Sequence, residues 1–203
     1  MLCAYGITIG NGNLTYIENS TIDGNVNEDG DGGGIVHGSG TLYLTNCQLT
    51  HNKAINGGAI YNWGNVYVYG SYFERNESQG LGGAITNRPR GCLNIDKSVF
   101  FLNESLEYIT SISTKFSGGA ITNEGRLRVY RSTFKYNHVE KDFGSSKIGS
   151  GGAIHTEGGT AIVRQSTFFA NSADKGGAIF NLHALQLINS TLYRNYARHG
   201  GGL

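Results

Sequence analysis

The tetrapeptide Gly-Gly-Ala-Ile returns at 57–60, 82–85, 118–121, 151–154 and 176–179. Gly-Gly-Gly variants stand at 32–35 and 200–203, and Ala4-Tyr5-Gly6-Ile7 is a worn copy. A second motif, Ser-x-Φ-x-x-Asn with Φ apolar, occupies 20–25, 71–76, 98–103, 132–137, 166–171 and 190–195, with Cys47 replacing Ser in the copy at 47–52. Between the two lies an alternating apolar pair: Leu42/Leu44, Val66/Val68, Leu93/Ile95, Leu127/Val129, Ala161/Val163 and Leu185/Leu187. Internal repetition at a fixed period is the signature of a solenoid, because each unit buries its apolar face only against its neighbours.

Cutting at each glycine pair gives seven units: 4–31, 32–56, 57–81, 82–117, 118–150, 151–175 and 176–199. Period-two alternation in units of about 25 residues is too short for a helix pair and unsuited to a propeller blade. It fits one coil of a parallel β-helix, with three short strands per coil. Parallel crossovers are right-handed, so the expected fold is an all-β, right-handed, single-stranded parallel β-helix of about seven coils. At about 4.8 Å per coil it would be about 34 Å long.

Stacked coils place like positions one above another. Ile35, Ile60, Ile85, Ile121, Ile154 and Ile179 are expected to form an internal ladder, and Leu49, Phe73, Phe100, Phe134, Phe168 and Leu192 a second. Glycine at a corner admits positive φ. Asparagine tolerates the left-handed region and can bond its amide to the asparagine of the next coil. Two amide ladders are expected, one from Asn52 through Asn76, Asn103, Asn137 and Asn171 to Asn195, the other joining Asn62, Asn87, Asn123 and Asn181. Proline would remove a ladder donor, and the single one, Pro89, is expected in a turn. In the first unit Leu14 is one residue too far from Ser20 to match Leu42, so a bulge is expected there.

Composition excludes several alternatives. There are 32 Gly against one Pro among 203 residues, which is not collagen. Charged residues make up 15% and the net charge is +1, so neither a charge-rich disordered tail nor bulk attraction to nucleic acid is indicated. No apolar run approaches the roughly 18 residues of a membrane span, so no direct membrane insertion is expected. The first residues, Met1-Leu2-Cys3-Ala4-Tyr5-Gly6, carry neither the basic nor the apolar region of a signal peptide. Cys3, Cys47 and Cys92 form no disulfide framework or zinc spacing. Cys47 and Cys92 read as small buried apolar residues.

The paired motifs, intact in Phe73-Glu74-Arg75-Asn76, Phe134-Lys135-Tyr136-Asn137 and Phe168-Phe169-Ala170-Asn171, resemble the repeats of chlamydial polymorphic outer-membrane proteins and related bacterial surface β-helices. The resemblance runs from about residue 4 to 203. It implies a cell-surface or secreted passenger of the kind delivered by a membrane barrel, often an adhesin. Residues 1–203 are expected to be a single β-helix domain. An open terminal coil exposes strand edges, and neither end carries an amphipathic cap. The chain therefore reads as a piece of a longer solenoid, or as one whose ends another chain covers.

Candidate functional residues lie on outward columns and in two long links. Residues 104–117 and 138–150 leave the same corner of adjacent coils and are expected to touch as a lateral lobe, since solenoid insertions often build the binding face. Tyr43 and Tyr67 should stack on one sheet, with Tyr69, Tyr61, Tyr72 and Trp63 on the same coils. Such aromatic faces suit sugar rings, but stacked aromatics also serve simply to stabilise a sheet. Arg126, Arg128 and Arg164 project from the following coils and could meet an acidic glycan, or simply form a solvated basic face partly paired with Glu124 and Glu157. Glycan or a host-surface protein is thus the expected partner. No cofactor and no metal site is expected: Asn27-x-Asp29-x-Asp31-Gly32 begins like a calcium loop but has Gly38 at the twelfth position.

A non-catalytic adhesion module is the leading reading. Two others stand beside it. A polysaccharide lyase or glycoside hydrolase would need clustered carboxylates, and the best cluster is Glu124 and Glu157 with His155 and Arg88 nearby. A purely structural spacer would need only the corners.

Overall fold

The computed structural model describes residues 6–10, 12, 14–106, 116–140 and 147–203. Among these, every regular element is a strand, and all strand pairs are parallel. The strands form four sheets of seven, and within each sheet neighbouring strands come from successive coils. This is a parallel β-helix of seven coils. Each coil has four strands rather than three: the fourth sheet contains short segments such as Lys53–Ala54 and Glu77–Ser78 that follow the motif asparagine. They are short because the next glycine pair turns the chain away, so the alternation there is too brief to be read as a strand.

The first sheet runs through Ile35–His37, Ile60–Asn62, Ile85–Asn87, Ile121–Asn123 and Ile154–Thr156, with each leading isoleucine in register with the next. These isoleucines are fully buried. The third sheet carries the aromatic ladder. Phe73, Phe100, Phe134 and Phe168 stack at 4.5, 4.7 and 4.8 Å with rings within 5° of parallel. The coil repeat itself sets that spacing, so each phenylalanine packs face to face without leaving its column. The second sheet supplies the remaining core wall through Leu42, Leu44, Val66, Val68, Leu93, Ile95, Leu127 and Val129.

Backbone geometry explains the glycines. The first glycine of each pair is left-handed, for example Gly82 at φ 60°. The second has no room for a side chain: a Cβ on Gly83 would lie 2.2 Å from Gly119 O and 2.5 Å from Glu104 N. The two positions are therefore glycine for different reasons, conformational freedom and close approach.

Asparagine differs from expectation. The left-handed residues of the second motif are those just before its serine and its asparagine, such as Lys97 and Leu102 at φ 49° and 53°. The asparagine itself points inward and is fully buried in the central coils. Asn103 Nδ2 donates to Phe73 O at 3.0 Å and to Asn137 Oδ1 at 2.9 Å. Its Oδ1 accepts from Asn76 N and Asn76 Nδ2 at 3.1 and 2.9 Å. The motif serine forms a parallel rail: Ser98 Oγ donates to Asp96 O and accepts from Ser71 N at 2.9 and 3.1 Å. Both residues satisfy corner backbone groups that bend out of the ladders.

The second amide ladder is shorter than expected at one end and longer at the other. Asn62 and Asn87 each donate onward, to Asn87 and Asn123 at 2.8 and 2.7 Å, and His37 Nδ1 joins Asn62 Oδ1 at 2.8 Å. Thr156 takes the next position, so Asn181 stays outside the ladder and bonds locally to His183 O. The first unit has no bulge: Leu14 pairs with Thr41 and Ile17 with Leu44 in unbroken register. Keeping that register turns Leu14 outward and puts Thr15 on the inner side. Cys47 is buried as expected, whereas Cys92 is only half-buried, at the outward start of its strand. Pro89 sits in a turn closed by Gly91 N donating to Arg88 O at 2.8 Å.

Candidate functional site

The second sheet offers the broadest outer face, seven adjacent strands of five residues each. Alternation sends positions one, three and five of each strand outward. The third position stacks Tyr16, Tyr43 and Tyr67, with centroids 5.0 and 4.9 Å apart and rings 11° and 15° from parallel. Tyr16 joins this column because the first coil keeps register where a bulge is expected from the sequence. Tyr67 and Tyr69 are 40% and 43% exposed, so ring edges and hydroxyls reach solvent. Beside them a shallow groove of about 270 Å³ runs between Tyr43, Tyr67, Tyr69, Asn94, Asp96 and Tyr130. Lys97 lies over Tyr69, its ammonium 5.2 Å from the ring centre and 3.0 Å from the hydroxyl.

The same columns change character in later coils. Arg128 follows Asn94 in the tyrosine column and reaches its Oδ1 at 3.5 Å. Arg126 opens the same strand and is exposed, and Arg164 follows Tyr130 in the column of Tyr69 and is exposed as well. Arg131 is committed to Asp96 through Nε at 2.9 Å and Nη2. One sheet face thus carries its stacked tyrosines in the first three coils and arginines in the fifth and sixth. Trp63 lies apart from this column, at the corner between the first and second sheets. Its ring meets Tyr61 edge-on at 6.1 Å and lies 5.1 Å from the Arg88 guanidinium. Burial, reinforced by the charge of Asp31, pushes the Tyr61 hydroxyl up to about 12, so this tyrosine stays neutral as a packing residue.

The carboxylates of the glycan-cleaving reading have other engagements. Arg88 Nη1 lies 2.8 Å from both oxygens of Glu124, bridging two coils. His155 is buried, with Nδ1 3.0 Å from Ser150 Oγ and its ring 5.3 Å from Phe180. Glu157 and His155 line a cleft of about 260 Å³ with Phe116, Ser150 and Lys175.

That cleft lies at the roots of the two long links. The links' central residues, 107–115 and 141–146, lie outside the described residues, and the lobe expected of them with them. The roots do meet: Glu104–Leu106 pairs with His138–Glu140, and a Cβ on Gly149 would lie within 2.8 Å of both Val139 and Phe116. On their outward side Glu104, His138 and Glu140 converge. His138 Nε2 is 2.5 Å from Glu104 Oε1 and 3.6 Å from Glu140 Oε2. Burial is the largest influence and disfavours charge on both Glu104 and His138, but their hydrogen bond and the attraction between their opposite charges together outweigh it, lowering the carboxyl and raising the imidazole. The bond to Glu104 raises Glu140. The sequence reading expected no such group. Its signal was present: the residue after each motif asparagine shares one column, and Glu77, Glu104 and His138 follow one another in it.

Comparison with known proteins bears on one coil. No curated protein and no solved structure matches the chain. Residues 165–182, which hold one Ser-x-Phe-x-x-Asn motif and the following Gly-Gly-Ala-Ile, match the family model of the Chlamydia polymorphic membrane protein repeat, the resemblance that the motifs imply.

Proposed function

We propose that this β-helix is a non-catalytic binding module of a cell-surface or secreted protein, and that the outer face of its second sheet binds an acidic glycan. The repeat match supports surface exposure, as expected of an outer-membrane passenger. The observation that carries the ligand class is the continuous column of Tyr16, Tyr43 and Tyr67, leading on the same sheet to Arg126, Arg128 and Arg164. Tyrosine faces and edges offer apolar area with polar rims to sugar rings. Guanidinium groups pair bidentately with carboxylate or sulfate. Trp63 contributes a further ring at the neighbouring corner.

A glycan array with neutral and uronic-acid or sulfated chains tests this directly. Binding to acidic chains, weakened by Tyr67→Ala and by Arg128→Ala, is expected. A polysaccharide-cleavage screen run in parallel should give no turnover. Turnover lost in Glu157→Gln with the fold intact would replace the adhesin reading by the enzymatic one. Retention of all binding in Tyr67→Ala and Arg128→Ala would remove this face from the function. No binding to any glycan or host-surface protein would leave the spacer reading.

A further inference from the structure

Glu104 and Glu140 bring two carboxylates to one imidazole at the place where both long links leave the solenoid. Register makes this unavoidable. Glu104 lies directly across from His138 in the parallel pair, and Glu140 is two residues further along the same strand, on the same side. The intervening positions, Ser105 and Val139, face the other way, and Ser105 is fully buried. The register is held by backbone hydrogen bonds, with Glu104 N–H donating to Asn76 O at 2.9 Å and His138 N–H to Asn103 O at 3.0 Å.

We propose that Glu104, His138 and Glu140 form a binding site for a first-row divalent cation, with Zn²⁺ the best match. One ligand atom from each lies within 4.8 Å of the others. Zinc bonds imidazole nitrogen at about 2.0–2.1 Å and carboxylate oxygen at about 2.0–2.2 Å, so its ligand atoms stand about 3.3–3.5 Å apart. The His138–Glu140 separation is already 3.6 Å, and the His138–Glu104 pair needs to open by less than about 1 Å, within reach of a side-chain rotation. An imidazole in the set disfavours calcium and magnesium, which take oxygen ligands. Two carboxylates facing one another repel when both are ionised, and a dication removes that repulsion. The neighbouring Glu77 is held by Lys53 at 2.6 Å, so the set stays at three. Three protein ligands leave one tetrahedral position open on the solvent side, where water or a ligand on another molecule could bind.

The test uses the full chain, stripped with a chelator and titrated with Co²⁺ and then Zn²⁺. Visible absorption bands of tetrahedral or five-coordinate Co²⁺ are expected at one ion per chain, and Zn²⁺ should displace them. His138→Gln and Glu140→Gln should each weaken Zn²⁺ binding by at least tenfold, while His183→Gln on the far coil leaves it unchanged. Glu140 is the most exposed of the three, so its variant decides the matter should His138→Gln fail to fold. Absence of the Co²⁺ bands, or equal affinity in Glu140→Gln and the parent, would overturn the proposal.

Discussion

Replacing Asn103 by alanine should cost far more than its small loss of volume suggests. The side chain is fully buried in the middle of the ladder and makes four hydrogen bonds. Alanine would take these partners from Asn76 N–H, one hydrogen of the Asn76 amide and Phe73 C=O at a fully buried site. Each buried orphan costs about 1–3 kcal/mol. Partial relaxation makes the three less than additive, and a loss of about 4 kcal/mol is expected. Asn195→Ala provides the internal reference. It ends the ladder, half-buried, so water can replace what is lost and about 1 kcal/mol is expected. Urea unfolding monitored by circular dichroism gives the comparison. Hydrogen exchange reads it locally, because repeat arrays need not unfold in one step: Asn76 N–H should lose its protection first. Equal destabilisation by the two variants, or unchanged exchange at Asn76, would refute the argument that the ladder satisfies the corner.

Phe134→Ala should lose about 3–5 kcal/mol, whereas Phe134→Leu should lose no more than about 1.5 kcal/mol, since Leu49 and Leu192 already serve in that column; thermal melts of both variants check the ratio. Gly119→Ala is expected to prevent folding, because the new Cβ would fall 2.2 Å from Gly152 O, and loss of the β-sheet circular dichroism signal reports it. Tyr67→Ala should change stability by no more than about 1 kcal/mol while reducing glycan binding, and a melt paired with the array separates the two effects. Thr50 and His51 hydrogen-bond Asp23 and hold its carboxyl below the ordinary 3.8. That contribution is complete above the ordinary value and is lost as pH falls through the lowered one, so Asp23→Asn should lower stability at neutral pH, flatten the acid end of the stability profile and match the parent at the lowest pH.

The repeat was legible in the residues because parallel coils impose identity. Each position sits over its counterpart about 4.8 Å away, so a column that is Gly, Ile, Phe or Asn in one coil favours the same or a similar residue in the next. The core, the glycine corners, the main amide ladder and the Tyr43–Tyr67 stack could therefore be read directly from the sequence, without coordinates. Leu14 could not, because matching it to Leu42 by apolar character hid the register that actually keeps Ile17 over Leu44. Nor could the exact left-handed positions, because Lys97, Leu102, Arg131 and Tyr136 share no residue type; the hydrogen bonds of the adjacent Ser and Asn hold them there. Links of unequal length let sequence neighbours diverge while the backbone returns to register. Only the folded chain thus decides that Glu104, His138 and Glu140 share one point in space.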